Sequence, residues 1–120
     1  MIKTKSIYDP VQKEDGERIM VSRYWPRGIS RERLQIEEWA REVAPSPDLL
    51  EDWKEGDMDW RDYCERYKEE MASRDEKLGE LAEKARNSTI TLLCFEPEHN
   101  PHCHRHILKK MIKKKVTEKQ

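Results

Sequence analysis

Long hydrophobic runs and an excess of either charge are both missing from this chain of 120 residues. No stretch approaches the roughly 20 apolar residues that cross a bilayer, so we expect no membrane role. The 24 lysines and arginines nearly cancel the 25 aspartates and glutamates, and this balance gives the chain no net attraction to nucleic acid or membranes. Only three cysteines occur, an odd number, and residues 1–5 lack the apolar stretch of a signal peptide. The odd number of cysteines and the lack of an apolar leader predict a reducing, cytoplasmic location.

The core must be thin, because only 35% of the residues are hydrophobic and 41% are charged. Four tryptophans, four tyrosines and regularly spaced aliphatic residues still predict a folded chain, since disordered chains lack such residues. The length fits one domain and is short for two. We therefore predict a single domain over residues 1–120, and we expect its basic end at 113–120 to fray.

Three segments are predicted to be strands. Residues 2–7 are rich in β-branched side chains, and residues 19–24 alternate with the period of a strand until Pro26 and Gly28 stop it. Residues 89–95 are apolar enough to lie in the middle of a sheet that is covered on both faces.

Apolar residues at helical spacing predict helices between and after these strands. Ser30 and Ser46 are suitable N-caps, Gly56 is a suitable C-terminal stop, and Asn100 followed by Pro101 predicts the start of a last helix. Strands that alternate with helices predict an α/β domain with a small, mostly parallel sheet covered by helices. The predicted helices cover residues 30–43, 46–56, 59–71, 78–85 and the chain beyond 100.

The first candidate binding segment, Arg23 to Gly28, covers the carboxyl end of the second predicted strand and the residues just beyond it. In open α/β sheets, ligands bind beyond the carboxyl ends of the strands. Arg23 and Arg27 flank Trp25, and guanidinium groups beside an aromatic ring suit a phosphate or carboxylate attached to a ring, or a nucleic-acid single strand. The alternatives are that Arg23 pairs with a carboxylate of a neighbouring element and that Trp25 belongs to the core.

The second candidate segment, Cys94 to Arg105, spans a strand end, a loop and the predicted first turn of the last helix. Cys103 would lie in that turn beside His104, where the helix dipole and positive charge lower the pKa of a thiol and favour the reactive thiolate. Glu96, next to the sheet, is the candidate general acid or base. The alternatives are structural, namely that the cysteines are buried packing residues and that His104 faces the core.

A metal site is a further alternative for this segment, because Cys94, His99, His102, Cys103 and His104 are all residues that zinc binds. His99 with His102 or Cys103, completed by Cys94, could converge across the loop. The spacing does not favour it, since no Cys-x-x-Cys pair occurs and consecutive residues on a helix point in different directions. We therefore assign no metal ligand and name no cofactor.

Several short motifs occur in a specific order and spacing along nearly the whole chain. They are Tyr8-Asp9-Pro10, Asp15-Gly16, Arg23-Tyr24-Trp25-Pro26-Arg27-Gly28, Ala44-Pro45-Ser46 and Thr91-Leu92-Leu93, together with Val21, Trp53, Trp60 and Tyr67. This pattern resembles the YeaO-like branch of DUF488, a bacterial and archaeal family of domains of unknown function. The resemblance implies a compact α/β fold and no established activity.

Two features depart from that branch. Ser22 stands where its members commonly carry an acidic residue, which weakens any mechanism that needs this carboxylate. Cys103-His104-Arg105, together with Cys94 and Glu96, instead resembles the sister branch of the family, in which a cysteine-containing strand end is followed by C-H-R. The presence of both signatures predicts that the W-P-R-G arginines and the C-H-R segment face one cleft.

These observations favour a cleft that binds a small anionic or nucleotide-like ligand, with hydrolase or transferase chemistry. One alternative is a non-catalytic module that binds nucleic acid or a protein partner through the basic last helix and the surface formed by the arginines and aromatic residues. The other alternative is a metal-binding domain. The expected contributors to the cleft are Arg23, Arg27 and Arg105 for charge, Trp25 for stacking, and Glu96 with Cys103 or His104 for chemistry.

Overall fold

The central strand of the sheet, β4 (Ile90–Cys94), is buried at all five of its positions. In the computed structural model, which describes residues 1–118, β4 lies between β1 (Ile2–Ser6) and β2 (Glu17–Met20). The short strand β3 (Glu38–Trp39) pairs with the other side of β2. All paired strands are parallel, in the order β1-β4-β2-β3, so the predicted parallel sheet with a covered central strand is confirmed.

Helices cover both faces of this sheet, which confirms the predicted α/β class. The hydroxyls of Ser30 and Ser46 accept hydrogen bonds from backbone N–H groups in the first turns of the helices that follow, and Gly56 takes a left-handed conformation at a helix end, as predicted. None of the helices within residues 1–118 has the length and apolar character needed to cross a bilayer. The α-helices are α1 (Arg31–Leu34), α2 (Pro47–Glu55), α3 (Trp60–Met71), α4 (Asp75–Asn87) and α5 (His104–Glu118), with 3-10 turns at Lys13–Asp15, Arg41–Val43 and Ala72–Arg74.

The sheet separates a large core from a small one. Helices α2 to α5 pack against one face, which presents Ile19 and Leu92. On the opposite face, Met20 and Leu93 meet Leu34 of α1. Successive residues of β2 and β4 thus pack alternately into the large core and the small core, because neighbouring side chains of a strand point to opposite faces.

The helix predicted from Ser30 to Val43 is wrong beyond its first turn. α1 ends at Leu34, because the next residue takes the left-handed conformation, and the chain then forms β3. The apolar residues at helical spacing serve different layers, since Ile36 lies in the small core whereas Ala40 and Val43 lie in the large one. One face of a helix cannot reach both sides of a sheet.

The last helix begins at His104 rather than at Pro101. The side-chain oxygen of Asn100 accepts a hydrogen bond from the backbone N–H of His102 at 2.9 Å, which closes a turn instead of capping a helix. Cys103 therefore lies immediately before α5 and not in its first turn. Residues 113–118, which we expected to fray, continue α5, and residues 119–120 lie outside the described residues.

A buried ionic cluster holds the segment between β1 and β2. The Asp15 carboxylate accepts hydrogen bonds from Nη1 of Arg18 at 2.6 Å and from Nζ of Lys5 at 3.0 Å, and both Asp15 and Arg18 are buried. Arg18 also donates through Nε and Nη2 to the carbonyl of Leu34 at the end of α1. Burial raises the pKa of Asp15, but hydrogen bonds from Gln12, Lys5 and Arg18 together outweigh it and hold that pKa below its usual value.

We expect Asp15→Asn to lower the free energy of unfolding by about 3 kcal/mol, because it leaves the buried Arg18 guanidinium without its carboxylate. Urea unfolding would show this as a lower midpoint at an unchanged slope. Because the folded-state pKa of Asp15 is depressed, its contribution is complete above the unfolded value of 3.8 and is lost as the pH falls through the folded value. The difference between wild type and variant should therefore shrink in that acidic range.

The control for this prediction is Asp75→Asn, which removes an exposed carboxylate paired with Lys115. Exposed pairs contribute up to about 1 kcal/mol, so this variant should unfold close to the wild-type midpoint. Equal losses of stability in the two variants would contradict the role given to Asp15.

Candidate functional site

A crevice opens at the carboxyl edge of the sheet, between β2 and β4. These strands are parallel neighbours, so their carboxyl ends lie side by side. The chain leaves β2 toward α1 in the small core, whereas it leaves β4 toward α5 in the large core. Adjacent strands whose connections diverge to opposite faces leave a gap between them, and ligands of open α/β sheets bind in such gaps.

A pocket of about 200 Å³ lies in this crevice. The segment that follows β2 and the segment that follows β4 both line it, together with side chains of α2, α3 and the first residue of α5. Its lining residues are Ser22, Arg23, Tyr24, Pro45, Leu50, Trp53, Tyr63, Cys94, Phe95, Glu96, His102, Cys103 and His104.

Cys103 and His104 form a buried thiol–imidazole pair in the wall of this pocket. Sγ of Cys103 lies 3.9 Å from Nδ1 of His104. Nε2 of the same ring lies 2.7 Å from the carbonyl oxygen of Val21, directly after β2. A carbonyl oxygen only accepts hydrogen bonds, so Nε2 carries a proton, and Nδ1, which faces Sγ of Cys103, is the ring nitrogen that can take up the thiol proton. This tautomer allows His104 to act as a general base toward Cys103.

Cys94, the last residue of β4, brings a second thiol to this pair. Its Sγ lies within 4.8 Å of Sγ of Cys103. The hydrogen bond from the Cys94 thiol lowers the pKa of Cys103 to about 4, against the opposing effect of burial and with further help from His104 and the backbone N–H of Arg105. The same hydrogen bond, together with burial, raises the pKa of Cys94. These opposite shifts favour Cys103 as the thiolate of the pair.

The geometry of these three side chains also bears on metal binding. Cys94, Cys103 and His104 offer the ligand types that zinc prefers, and their donor atoms lie within 4.8 Å of one another. At usual zinc bond lengths, tetrahedral coordination would separate two sulfurs by about 3.8 Å and a sulfur from a nitrogen by about 3.6 Å. Sγ of Cys103 and Nδ1 of His104, which lie 3.9 Å apart, would have to approach by about 0.3 Å to hold zinc. His99 and His102, considered from the sequence as further ligands, do not belong to this group.

Arg23 and Glu96 occupy the more exposed part of the pocket wall. Nε of Arg23 donates to the carbonyl of Pro45 at 3.0 Å, and Nη2 donates to the carbonyl of Ala44 at 3.3 Å. Within residues 1–118 no acceptor lies at Nη1, and no carboxylate pairs with this guanidinium. The Glu96 carboxylate accepts a hydrogen bond from Nδ2 of Asn100 at 3.1 Å and is exposed, so it is a solvated group beside the pocket.

Aromatic side chains of α2, α3 and the loop before α5 pack against one another beside the thiol. The rings of Trp60 and His102 stack, with centroids 4.7 Å apart and an interplanar angle of 26°. Trp53 lies 5.2 Å from Tyr63 and 6.0 Å from His102, between ring centroids. Trp53, Tyr63 and His102 line the pocket and give it an aromatic wall, in which the Trp53 ring is inclined by 54° to Tyr63 and by 87° to His102.

Three of the predicted ligand-binding residues do not line the pocket. Trp25 packs edge-to-face on Trp39, with centroids 5.2 Å apart, and its indole N–H donates to a backbone carbonyl, so it packs against the small core. Arg27 is exposed and lies outside the pocket lining. Arg105 is fully buried and donates through Nη2 to the carbonyl of Pro97 at 2.9 Å.

The structure thus brings Arg23, Glu96, Cys103 and His104 together and leaves Trp25, Arg27 and Arg105 out of the pocket lining. Sequence reasoning missed Tyr24 as a lining residue, and it treated Cys94 as a packing residue of its strand. The position of Cys94 was an available signal, because the last residue of a central parallel strand lies at the edge where ligands bind.

The fold and the site together define a single α/β domain with a cysteine–histidine pair in a pocket at the strand ends. The chain belongs to the DUF488 family, since the profile of DUF488-N3a, described as the active DUF488-N3 subclade, matches residues 2–116. It is a YeaO-like member, as the resemblance implied.

The relatives support this assignment across most of the chain. YeaO of Escherichia coli K12 is 37% identical over 92 residues, which cover 77% of this chain and 80% of YeaO. Protein Rv3073c of Mycobacterium tuberculosis H37Rv and protein Mb3100c of Mycobacterium bovis are each 29% identical over 90 residues, which cover 75% of this chain and of each relative. All three are described as uncharacterized proteins. No solved structure matches the chain significantly.

The environments of the cysteines predict different reactivity toward iodoacetamide. The rate of alkylation of Cys103 should stay nearly constant from pH 6 to pH 9, because its low pKa keeps it a thiolate throughout. Burial raises the pKa of Cys64, so its alkylation rate should rise about tenfold per pH unit over the same range. Peptide mass spectrometry resolves the two rates within one sample. A Cys103 rate that climbs in parallel with that of Cys64 would contradict the thiolate assignment.

Proposed function

We propose that this protein binds a small anionic ligand in the strand-end pocket and transfers or hydrolyses a group of that ligand through Cys103. The observation that carries the proposal is the buried Cys103–His104 pair, with 3.9 Å between Sγ and Nδ1 and a tautomer set by the carbonyl of Val21. Nucleophilic enzymes require a thiol and a base in this relation, with the base oriented by a third group. The family description as an active subclade agrees with catalysis.

The proposed step proceeds by covalent catalysis. The sulfur of Cys103 attacks an electrophilic carbon or phosphorus atom of the ligand, a bond from sulfur to that atom forms, and the bond to the leaving group breaks. Cys103 has already given its proton to Nδ1 of His104, and this proton moves to the leaving group. Water or a second substrate then releases the group from sulfur, and His104 takes up the proton of this attacking molecule.

The pocket favours an anionic group attached to a single ring. Arg23 supplies positive charge with one nitrogen that lacks an acceptor within residues 1–118, and the wall formed by Trp53, Tyr63 and His102 suits a planar ring. The volume of about 200 Å³ is below the usual range for drug-sized ligands, which is about 300–1,000 Å³. The pocket therefore encloses a ligand of one ring, or one end of a nucleotide.

Two further parts of the proposal concern location and partners. The three cysteines are free thiols, which agrees with a reducing compartment such as the cytoplasm. Nucleic-acid binding through the basic last helix has less support, because Lys115 is paired with Asp75 and Lys114 lies 4.0 Å from Glu118.

Substitution of Arg23 tests the recognition of the anion, with phenyl phosphate as the probe in calorimetric titrations. Arg23→Ala should weaken binding about 10- to 100-fold, because a hydrogen bond to a charged group contributes about 1.5–3 kcal/mol. Arg27→Ala is the matched control, since Arg27 lies outside the pocket, and it should bind like the wild type. Thermal unfolding must accompany the titrations, because Arg23 also holds the carbonyls of Ala44 and Pro45. Equal affinities in a folded Arg23→Ala protein would reject the proposed contact.

The covalent step can be tested with 4-nitrophenyl acetate, an activated ester. The wild type should release one equivalent of nitrophenolate in a burst and retain an acetyl group on Cys103. Cys103→Ser should abolish the burst, and His104→Gln should slow it about 100-fold because the group that accepts the Cys103 proton is lost. Cys64→Ser, at a half-buried position of α3 that lines a different cavity, should leave the burst unchanged. A burst that survives in Cys103→Ser would refute the assignment of the nucleophile.

A further inference from the structure

Two of the three cysteines come from different elements and meet at the pocket. Cys94 ends β4, Cys103 precedes α5, and their sulfurs lie within 4.8 Å of each other. Both side chains are buried, with 7% and 4% of their surface exposed, yet both line the pocket that reaches solvent. The third cysteine, Cys64, lies on α3 and lines a different cavity.

We propose that Cys94 and Cys103 are a reversible disulfide pair, which closes when a small hydroperoxide oxidises Cys103 inside the pocket. This modification site is independent of the proposed function, because it needs only two adjacent thiols and access for the oxidant. If the proposed function also holds, the disulfide switches catalysis off by occupying the nucleophile.

The reaction balances with a hydroperoxide as oxidant and a dithiol as reductant. The Cys103 thiolate attacks one oxygen of the hydroperoxide, an S–O bond forms, and the O–O bond breaks with release of hydroxide or an alkoxide. The Cys94 sulfur then attacks the sulfur of the Cys103 sulfenic acid. The S–S bond forms as the S–O bond breaks, and the hydroxide leaves as water with the Cys94 proton. A dithiol returns both residues to thiols by exchange.

The backbone arrangement allows the sulfurs to meet. A disulfide requires a separation of about 2.05 Å, so the two sulfurs must approach by at most about 2.8 Å from their limit of 4.8 Å. Cys94 is held in the middle of the sheet between β1 and β2. Cys103, in contrast, follows a loop whose residues 96–99 are exposed, and a change of its side-chain rotamer moves the sulfur by a distance comparable to the gap.

The order of the two steps follows from the environments of the thiols. Cys103 reacts first, since its sulfur is held as the thiolate and thiolates are the species that hydroperoxides oxidise. Cys94 remains a thiol until Cys103 is oxidised, and it is then the nearest nucleophile. Cys64 does not belong to the Cys94–Cys103–His104 cluster and lines a different cavity, so we expect it to stay outside the disulfide.

The test is to treat the reduced full-length protein with hydrogen peroxide and to map its cysteines. Cys94 and Cys103 lie in one tryptic peptide, residues 87–105, whereas Cys64 lies in another. We expect the first peptide to lose two hydrogens and to regain them after a dithiol is added. Cleavage after Glu98, between the two cysteines, should yield fragments that stay joined until reduction.

Matched variants distinguish the steps. Cys94→Ser should accumulate a Cys103 sulfenic acid that dimedone traps, because the second thiol is missing. Cys64→Ser should form the disulfide at the wild-type rate. A wild-type protein in which Cys103 proceeds to sulfinic acid while Cys94 stays free would overturn the proposal. So would a stoichiometric zinc ion, found by elemental analysis of untagged protein, that protects both thiols from peroxide.

The disulfide and the proposed catalytic function can fail independently of each other. Failure of the disulfide, with an intact nitrophenolate burst, removes only the redox pair. A disulfide that forms in a protein without the burst removes only the catalytic proposal.

Discussion

The hydrogen bond between Nε2 of His104 and the carbonyl oxygen of Val21 is the interaction on which the site depends. It joins the segment after β2 to the first residue of α5, so it ties together the two sides of the crevice. Because it takes up the ring N–H, it also orients the remaining nitrogen toward Cys103. A change in the position of Val21 would therefore alter the chemistry of a residue 83 positions away along the chain.

The surroundings of Cys103 stabilise a negative charge on its buried sulfur. Burial of a thiolate is unfavourable unless donors replace its lost hydration. Here the thiol of Cys94, His104 and the backbone N–H of Arg105 provide this replacement, and their combined effect exceeds the penalty of burial. These groups belong to β4 and to the start of α5, so the negative charge is stable only where those two elements meet.

Much of the fold could be predicted from the sequence, because strong local signals agree with the final structure. The apolar run of β4 and the capping residues Ser46 and Gly56 predicted their elements correctly. The helix predicted for residues 30–43 was wrong because packing against distant parts of the chain, and not the local spacing of apolar residues, determined the structure there. Ile36 and Ala40 have the spacing of one helix face, yet they pack into the cores on opposite faces of the sheet.

The candidate site was predictable to a similar degree. Topology places the ends of β2 and β4 together, so the meeting of Arg23 with Cys103 follows from the expected parallel sheet. The loss of Trp25 from the pocket does not follow, because its edge-to-face contact with Trp39 depends on β3, which the sequence reading had assigned to a helix.

The strand order has one more consequence. Since β1 and β2 each pair with β4 but not with each other, a growing chain on the ribosome cannot complete the middle of its sheet until residue 94 has emerged. Until then, the amino-terminal half of the nascent chain has unpaired strand edges. Such edges promote aggregation, which makes this domain a candidate client for chaperones that act during translation.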